Sequence, residues 1–145
     1  MTTLLVSANS SWNIVHFRAG LLRALSEAGY RIAVAAPPDE HSNRIRELGY
    51  DYYPLPMSRS GMNPVADGLL LARYAGLMRK VRPDIYLGYT IKPNLYGSLA
   101  AARVGAATVN TVTGLGTSFL GRSWLQRLVL RLYKTAFRRS HRVFF

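Results

Sequence analysis

TLLVSANSSWNIVHFRAGLLRALSEAGYRIAVAA, residues Thr3–Ala36, decides how the rest of the chain is read. It opens on a short apolar run, Thr3–Ala8 (TLLVSA), and closes on another, Arg31–Ala36 (RIAVAA). Each has the length and composition of a buried strand. Asn9–Val15 (NSSWNIV) is rich in small polar residues and reads as a loop. Phe17, Leu21, Leu25 and Ala28 then recur at helical spacing, and Gly29 is a natural stop. Strand, loop, helix and strand in this order make a βαβ unit, whose two strands run parallel.

The pattern continues outward. Pro37-Pro38 halts the second strand, and a short helix follows from about Glu40 to Leu48, ending at Gly49. Asp51–Leu55 (DYYPL) is a weaker strand, and Pro54 predicts an edge position because it cannot donate to a ladder. After the loop Met57–Asn63, Pro64 suits the first turn of a helix with a buried stripe of Leu70, Tyr74, Leu77, Met78 and Val81. Asp84–Tyr89 is a strand, Thr90–Asn94 (TIKPN) a loop, and about Leu95 to Val104 a helix. Ala107–Val112 is a strand, Thr113–Ser123 (TGLGTSFLGRS) a Gly-rich loop, and Trp124–Ser140 a helix. Arg142–Phe145 reads as one more strand beginning. Alternation at this spacing predicts an α/β fold: a Rossmann-like, doubly wound parallel sheet covered on both faces.

The chain has 145 residues, 49% of them apolar and 18% charged, as expected of one domain with a real core. It contains no cysteine, which excludes disulfides, cysteine zinc sites, iron–sulfur clusters and a cysteine nucleophile. His16, His41 and His141 are far apart in sequence, and no metal-ligand spacing is visible. MTTLLVSANSSW lacks the basic start and long apolar run of a signal peptide. The longest uncharged stretch after Arg103, Val104–Gly121, has Gly, Ser, Thr or Asn at ten of its eighteen positions, which does not suit a membrane span. A cytoplasmic protein, soluble or peripheral, is expected.

The net charge is +12, and its distribution is uneven. All seven acidic residues lie at or before Asp84, whereas Ile85–Phe145 carries nine Lys and Arg. Such asymmetry predicts an anionic partner for one face, or a merely solvated basic surface. The basic residues concentrate on the last helix. Leu125, Leu128, Val129, Leu132, Tyr133, Ala136 and Phe137 follow one face, and Arg127, Arg131, Lys134 and Arg138 the opposite one. A basic ridge without acids repels itself in isolation and gains from an anionic membrane surface. Nucleic acid is not expected, because the aromatic residues do not form a stacking platform on a strand.

In doubly wound sheets ligands bind at the carboxyl ends of the strands, and three loops there carry chemistry. After the first strand, Asn9, Trp12 and Asn13 stand where a dinucleotide fold has glycines. Trp12 stacks on a sugar or headgroup, or packs on its own helix with Asn13 as cap. After the fourth strand, Thr90, Lys92 and Asn94 suit an anion site beside a helix N-terminus, or are a solvated lysine with plain turn chemistry. Lys92 has no acid after Asp84 to pair with, so it is expected to be exposed and to matter little for stability. Thr113, Gly114 and Gly116 permit close backbone approach by a ligand.

Taken together, SANSSWNIVHFRAGLLRAL, VAAPPDEHSNRIRELGYDYYPLP, SRSGMNP, YTIKPNLYGSLAA, NTVTGLGTSF and RSHRVFF resemble the N-terminal domain of family 4 retaining glycosyltransferases of GT-B fold. The nearest subgroup builds polysaccharide or glycan on a polyprenyl-diphosphate carrier. The resemblance implies that residues 1–145 are the acceptor-side domain, facing across a cleft a donor domain that is absent here. The nucleotide-sugar donor then reaches the site through that C-terminal domain or a second chain, and the acceptor is a lipid-linked saccharide at the inner face of the plasma membrane. No cofactor and no metal are implied. Asn9, Trp12, Asn13, Thr90, Lys92, Asn94, Thr113, Gly114 and Gly116 match the cleft side of the pattern. Many members carry a histidine in the TIKPN loop, where this chain has Ile91 before Lys92, so the resemblance assigns no catalytic base. The alternative is a non-catalytic, membrane-anchoring acceptor-binding subunit of a two-chain enzyme. One sheet layer offers no second wall for a donor, so the isolated chain is expected not to transfer sugar.

Overall fold

The computed structural model describes residues 1–58, 63–113, 123–138 and 140–145. Six parallel strands form one sheet in the order β3-β2-β1-β4-β5-β6. They are β1 (Thr3–Ser7), β2 (Arg31–Ala36), β3 (Asp51–Pro54), β4 (Ile85–Tyr89), β5 (Ala107–Thr111) and β6 (Arg142–Phe144). The helical segments are α1 (Ser11–Asn13), a π-helical turn π1 (Ile14–Arg18), α2 (Ala19–Glu27), α3 (Ser42–Glu47) and α4 (Pro64–Val81). A second π turn, π2 (Pro93–Gly97), leads into α5 (Ser98–Arg103), and α6 (Ser123–Phe137) precedes β6.

The doubly wound parallel sheet agrees with the sequence reading, and β3 with its Pro54 is indeed an edge. β1 is buried throughout and serves both faces, as a central parallel strand must. Leu5 joins Leu70, Tyr74, Met78, Tyr86 and Leu95 on the α4–α5 side. Leu4 and Val6 join Ile14, Leu22, Ile45 and Leu87 on the α2–α3 side. Burying each such side chain contributes roughly 1.5–3 kcal/mol.

Two expected loops are helical. NSSWNIV is already helix from Ser11, because the Ser10 hydroxyl accepts the Asn13 N–H at 3.1 Å and caps the turn. The cap is Ser10, not Asn13. In TIKPN the chain is helical by Pro93, whose fixed φ and missing N–H suit a first turn. Asn63 caps α4, its Oδ1 accepting from the N–H groups of Val65 and Ala66 at 3.1 and 3.2 Å.

Candidate functional site at the switch point

From β1 the sheet grows through β2 and β3 to one side, and from β4 through β5 and β6 to the other. The seam between β1 and β4 is therefore the topological switch point, with Ser7 registered against Gly88 at its carboxyl end. The helical segment after each of these two strands contains a π turn near its start. Such turns insert one residue and rotate the downstream helix by roughly 100°.

The packing that supports π2 is explicit. The Tyr86 hydroxyl donates to the Pro93 carbonyl at 2.8 Å, and a Cβ on Gly97 would overlap that hydroxyl. On the β1 side the segment is stapled to the loop after β2. Ser11 Oγ donates to the Pro37 carbonyl at 3.0 Å, and the Trp12 N–H donates to Asp39 Oδ2 at 3.1 Å.

Three polar atoms near the seam are buried and lack a hydrogen-bond partner among the described residues: Asn13 Oδ1, Arg18 Nε and Thr90 Oγ1. Native proteins rarely leave such groups unpaired, since each costs about 1–3 kcal/mol. Thr90 is also strained, with φ 68° in the left-handed region that a β-branched residue avoids. The Arg18 guanidinium lies 4.0 Å above the ring of Tyr89, the last residue of β4. Burial pushes the Tyr89 phenol above its ordinary pKa, against the opposing pull of Arg18. Asn9 is half-buried at the mouth of β1. Sequence reasoning missed Arg18 and Tyr89. Arg18 lies in a helical pattern where a basic residue looks like solvated surface, and only the sheet brings it onto β4.

Lys92 and Asn94 correct the sequence reading. Lys92 is 7% exposed, and its Nζ donates to Asp67 Oδ1 at 2.8 Å and to Ser58 Oγ at 2.6 Å. The acid that pairs with it lies before it in sequence, on α4. Tyr96 donates to the other Asp67 oxygen at 3.0 Å, and its phenol is pushed up by burial first and by Asp67 second. Asn94 is fully buried. Its Nδ2 donates to the Thr111 carbonyl at 2.9 Å, and its Oδ1 accepts from Asn110 Nδ2 at 3.0 Å. Asn110 in turn donates to Ser98 Oγ and accepts from Ser140 Oγ. Both residues are internal fasteners, with no side chain turned outward to a ligand.

Trp12 is 42% exposed yet stacked on His16 at 4.6 Å, with Phe17 edge-on at 5.2 Å. It packs on its own helix and keeps one side open. On α6, Arg127, Arg131, Lys134 and Arg138 are exposed as expected. Leu128 is not core: it is 41% exposed, next to exposed Trp124 and Leu130. Among the described side chains the buried face is carried by Tyr133 and Ala136, with Leu132 and Phe137 packed against the core; Leu125 and Val129 lie outside the described side chains. Burial pushes the Tyr133 phenol up to about 12, and its hydroxyl has no partner among the described residues. Thr113 is exposed, whereas Gly114 and Gly116 lie outside the described residues. No described helix is long and apolar enough to cross a membrane.

The model of the glycosyl transferase 4-like family matches residues 3–145. The chain belongs to this family. A curated relative, the N,N'-diacetylbacillosaminyl-diphospho-undecaprenol alpha-1,3-N-acetylgalactosaminyltransferase of Campylobacter jejuni, is 28% identical over 139 residues. That match covers 92% of this chain and 37% of the relative. Among solved structures, MurG of Acinetobacter baumannii superposes with a TM-score of 0.68 at 14% identity, over 99% of this chain and 41% of its own. The UDP-GlcNAc 2-epimerase of Methanocaldococcus jannaschii reaches 0.59 at 15% identity, over 99% and 38%. These likenesses show the fold, which transferases and epimerases share. This glycosyl transferase 4-like chain spans about two-fifths of the length of the proteins it matches.

Proposed function

We propose that this chain is the acceptor-binding half of a retaining glycosyltransferase. The enzyme moves a sugar from a nucleotide-sugar donor to a lipid-linked or polysaccharide acceptor. The donor is held by a second Rossmann-like half in a C-terminal domain or another chain, and the reaction needs no metal. The observation that carries this reading is the carboxyl end of the β1/β4 seam, where Asn13 Oδ1, Arg18 Nε and Thr90 Oγ1 are buried without hydrogen-bond partners among the described residues. Groups left unpaired in the free protein are the ones a hydroxyl-rich ligand satisfies. The relative from Campylobacter jejuni, named for a diphospho-undecaprenol acceptor, supports the lipid-linked class.

The exposed face of α6 fits the membrane side of this reading. Arg127, Arg131, Lys134 and Arg138 alternate there with Trp124, Leu128 and Leu130, all of them exposed. Each Lys or Arg near anionic lipid contributes on the order of 1 kcal/mol. The chain is thus read as a cytoplasmic protein, peripheral at the inner face of the plasma membrane. Replacing Arg127, Arg131 and Lys134 together by Gln should weaken binding to phosphatidylserine vesicles by up to about 3 kcal/mol. Equal binding by variant and parent rejects the membrane contact.

The acceptor reading is tested by titrating the labelled chain with a short-chain prenyl-diphospho-N-acetylhexosamine and following its amide resonances. Shifts centred on residues 9–18 and on Thr90 are expected. An unperturbed spectrum, or shifts confined to the amino ends of the strands, overturns it.

A further inference from the structure

Arg18 has no place in the site as read from sequence, yet it is the most unusual cation among the described residues. It is half-buried, its Nε is sealed from solvent, and no hydrogen bond or ion pair reaches it from the described residues. Lys92, which is buried, has Asp67 at 2.8 Å. Arg31 and Arg44, at the surface, have Asp51 and Glu47 at 2.7 and 3.4 Å. A partly desolvated charge without a counter-charge is costly unless a ligand supplies one. What holds Arg18 instead is the face of Tyr89, which seats the guanidinium at the carboxyl end of β4, and no described residue takes a hydrogen bond from its N–H fork.

We infer that Arg18, seated on Tyr89, is the diphosphate-binding residue at the carboxyl end of the β1/β4 seam. The planar fork matches two oxygens of a phosphate group, which a point charge such as lysine does not. The strained Thr90, next to Tyr89, places a second orphaned group at the same end of the seam, and its hydroxyl is free to donate to the same oxyanion. This rests on the acceptor reading, and it adds the chemical group recognised and the residue that recognises it. Two sources offer that group: the lipid carrier of the acceptor and the nucleotide sugar.

The test measures binding of inorganic pyrophosphate, farnesyl diphosphate and uridine diphosphate to the 145-residue chain by calorimetry. Arg18→Gln should weaken pyrophosphate binding about 10- to 100-fold, as expected for the loss of a charge-assisted hydrogen bond. Arg18→Lys, which keeps the charge and loses the fork, should fall between variant and parent. Arg103→Gln, exposed at the far end of α5, should bind like the parent. A loss for farnesyl diphosphate but not uridine diphosphate assigns the site to the carrier, and the reverse assigns it to the donor. Pyrophosphate binding unchanged in Arg18→Gln, or weakened equally in Arg103→Gln, overturns the inference. Those outcomes leave the acceptor reading standing, because it is judged by the separate titration with the prenyl-linked saccharide.

Discussion

The segments that leave β1 and β4 at the switch point are built alike and end chemically opposite. Both pass through a π turn near the start of a helix, and both carry polar side chains that sequence alone offers as candidates for ligand binding. After β4, Lys92 and Asn94 find their partners inside the protein, on α4, β5 and the segment around Ser58. After β1, Asn13 Oδ1 and Arg18 Nε find no hydrogen-bond partner among the described residues. Residue type at the carboxyl end of a strand is thus a poor guide to a ligand site. The better guide is which polar groups remain unpaired once the internal partners are counted.

The largest test of this contrast is Lys92→Ala. It strands Asp67 as a buried, uncompensated carboxylate, so thermal or urea unfolding should show a loss of about 3–5 kcal/mol. A change below about 0.5 kcal/mol, the usual range for surface positions, would return Lys92 to the solvent. Asn94→Ala comes next. It removes the donor to the Thr111 carbonyl and one partner of Asn110, so a loss of about 1–3 kcal/mol is expected by the same measurement.

On the unpaired side the signs change. Thr90→Gly relieves a left-handed β-branched residue and deletes an orphaned hydroxyl. After the entropy cost of glycine it should stabilise the chain by about 1 kcal/mol, while binding of the prenyl-linked saccharide weakens. A destabilised variant would mean that the Thr90 hydroxyl has an internal role. Asn13→Ala should be the quietest, within about 0.5 kcal/mol in stability, because Ser10 provides the cap. A cost of about 1 kcal/mol or more, the size of a lost cap, would show that its amide has a structural role.

The strand–helix order, the edge position of the Pro54 strand and the helix start at Pro64 were legible because they depend on local properties: apolar runs, period and proline stereochemistry. The extents of two helices were misread. Ser10 and Pro93 sit inside stretches whose polar composition looks like loop, and capping geometry outweighed composition. Lys92 was misread because its partner is 25 residues earlier, and a count of acids after Asp84 could not find it. Arg18 was missed because nothing in VHFRAG separates a solvated arginine from one laid across a tyrosine of a distant strand.

The sequence by itself determined the βα alternation, the parallel doubly wound sheet, the basic exposed ridge of α6 and the family. These depend on periodicity and charge, which are read along the chain. Only the tertiary structure decided which polar residues are fasteners and which are left open. That distinction depends on hydrogen bonds and ion pairs between residues far apart in sequence. Asp67 reaches Lys92 across 25 residues, and Arg18 meets Tyr89 only because β1 and β4 lie side by side. A buried donor or acceptor is satisfied or orphaned by geometry within about 3 Å, and no pattern along the chain specifies that.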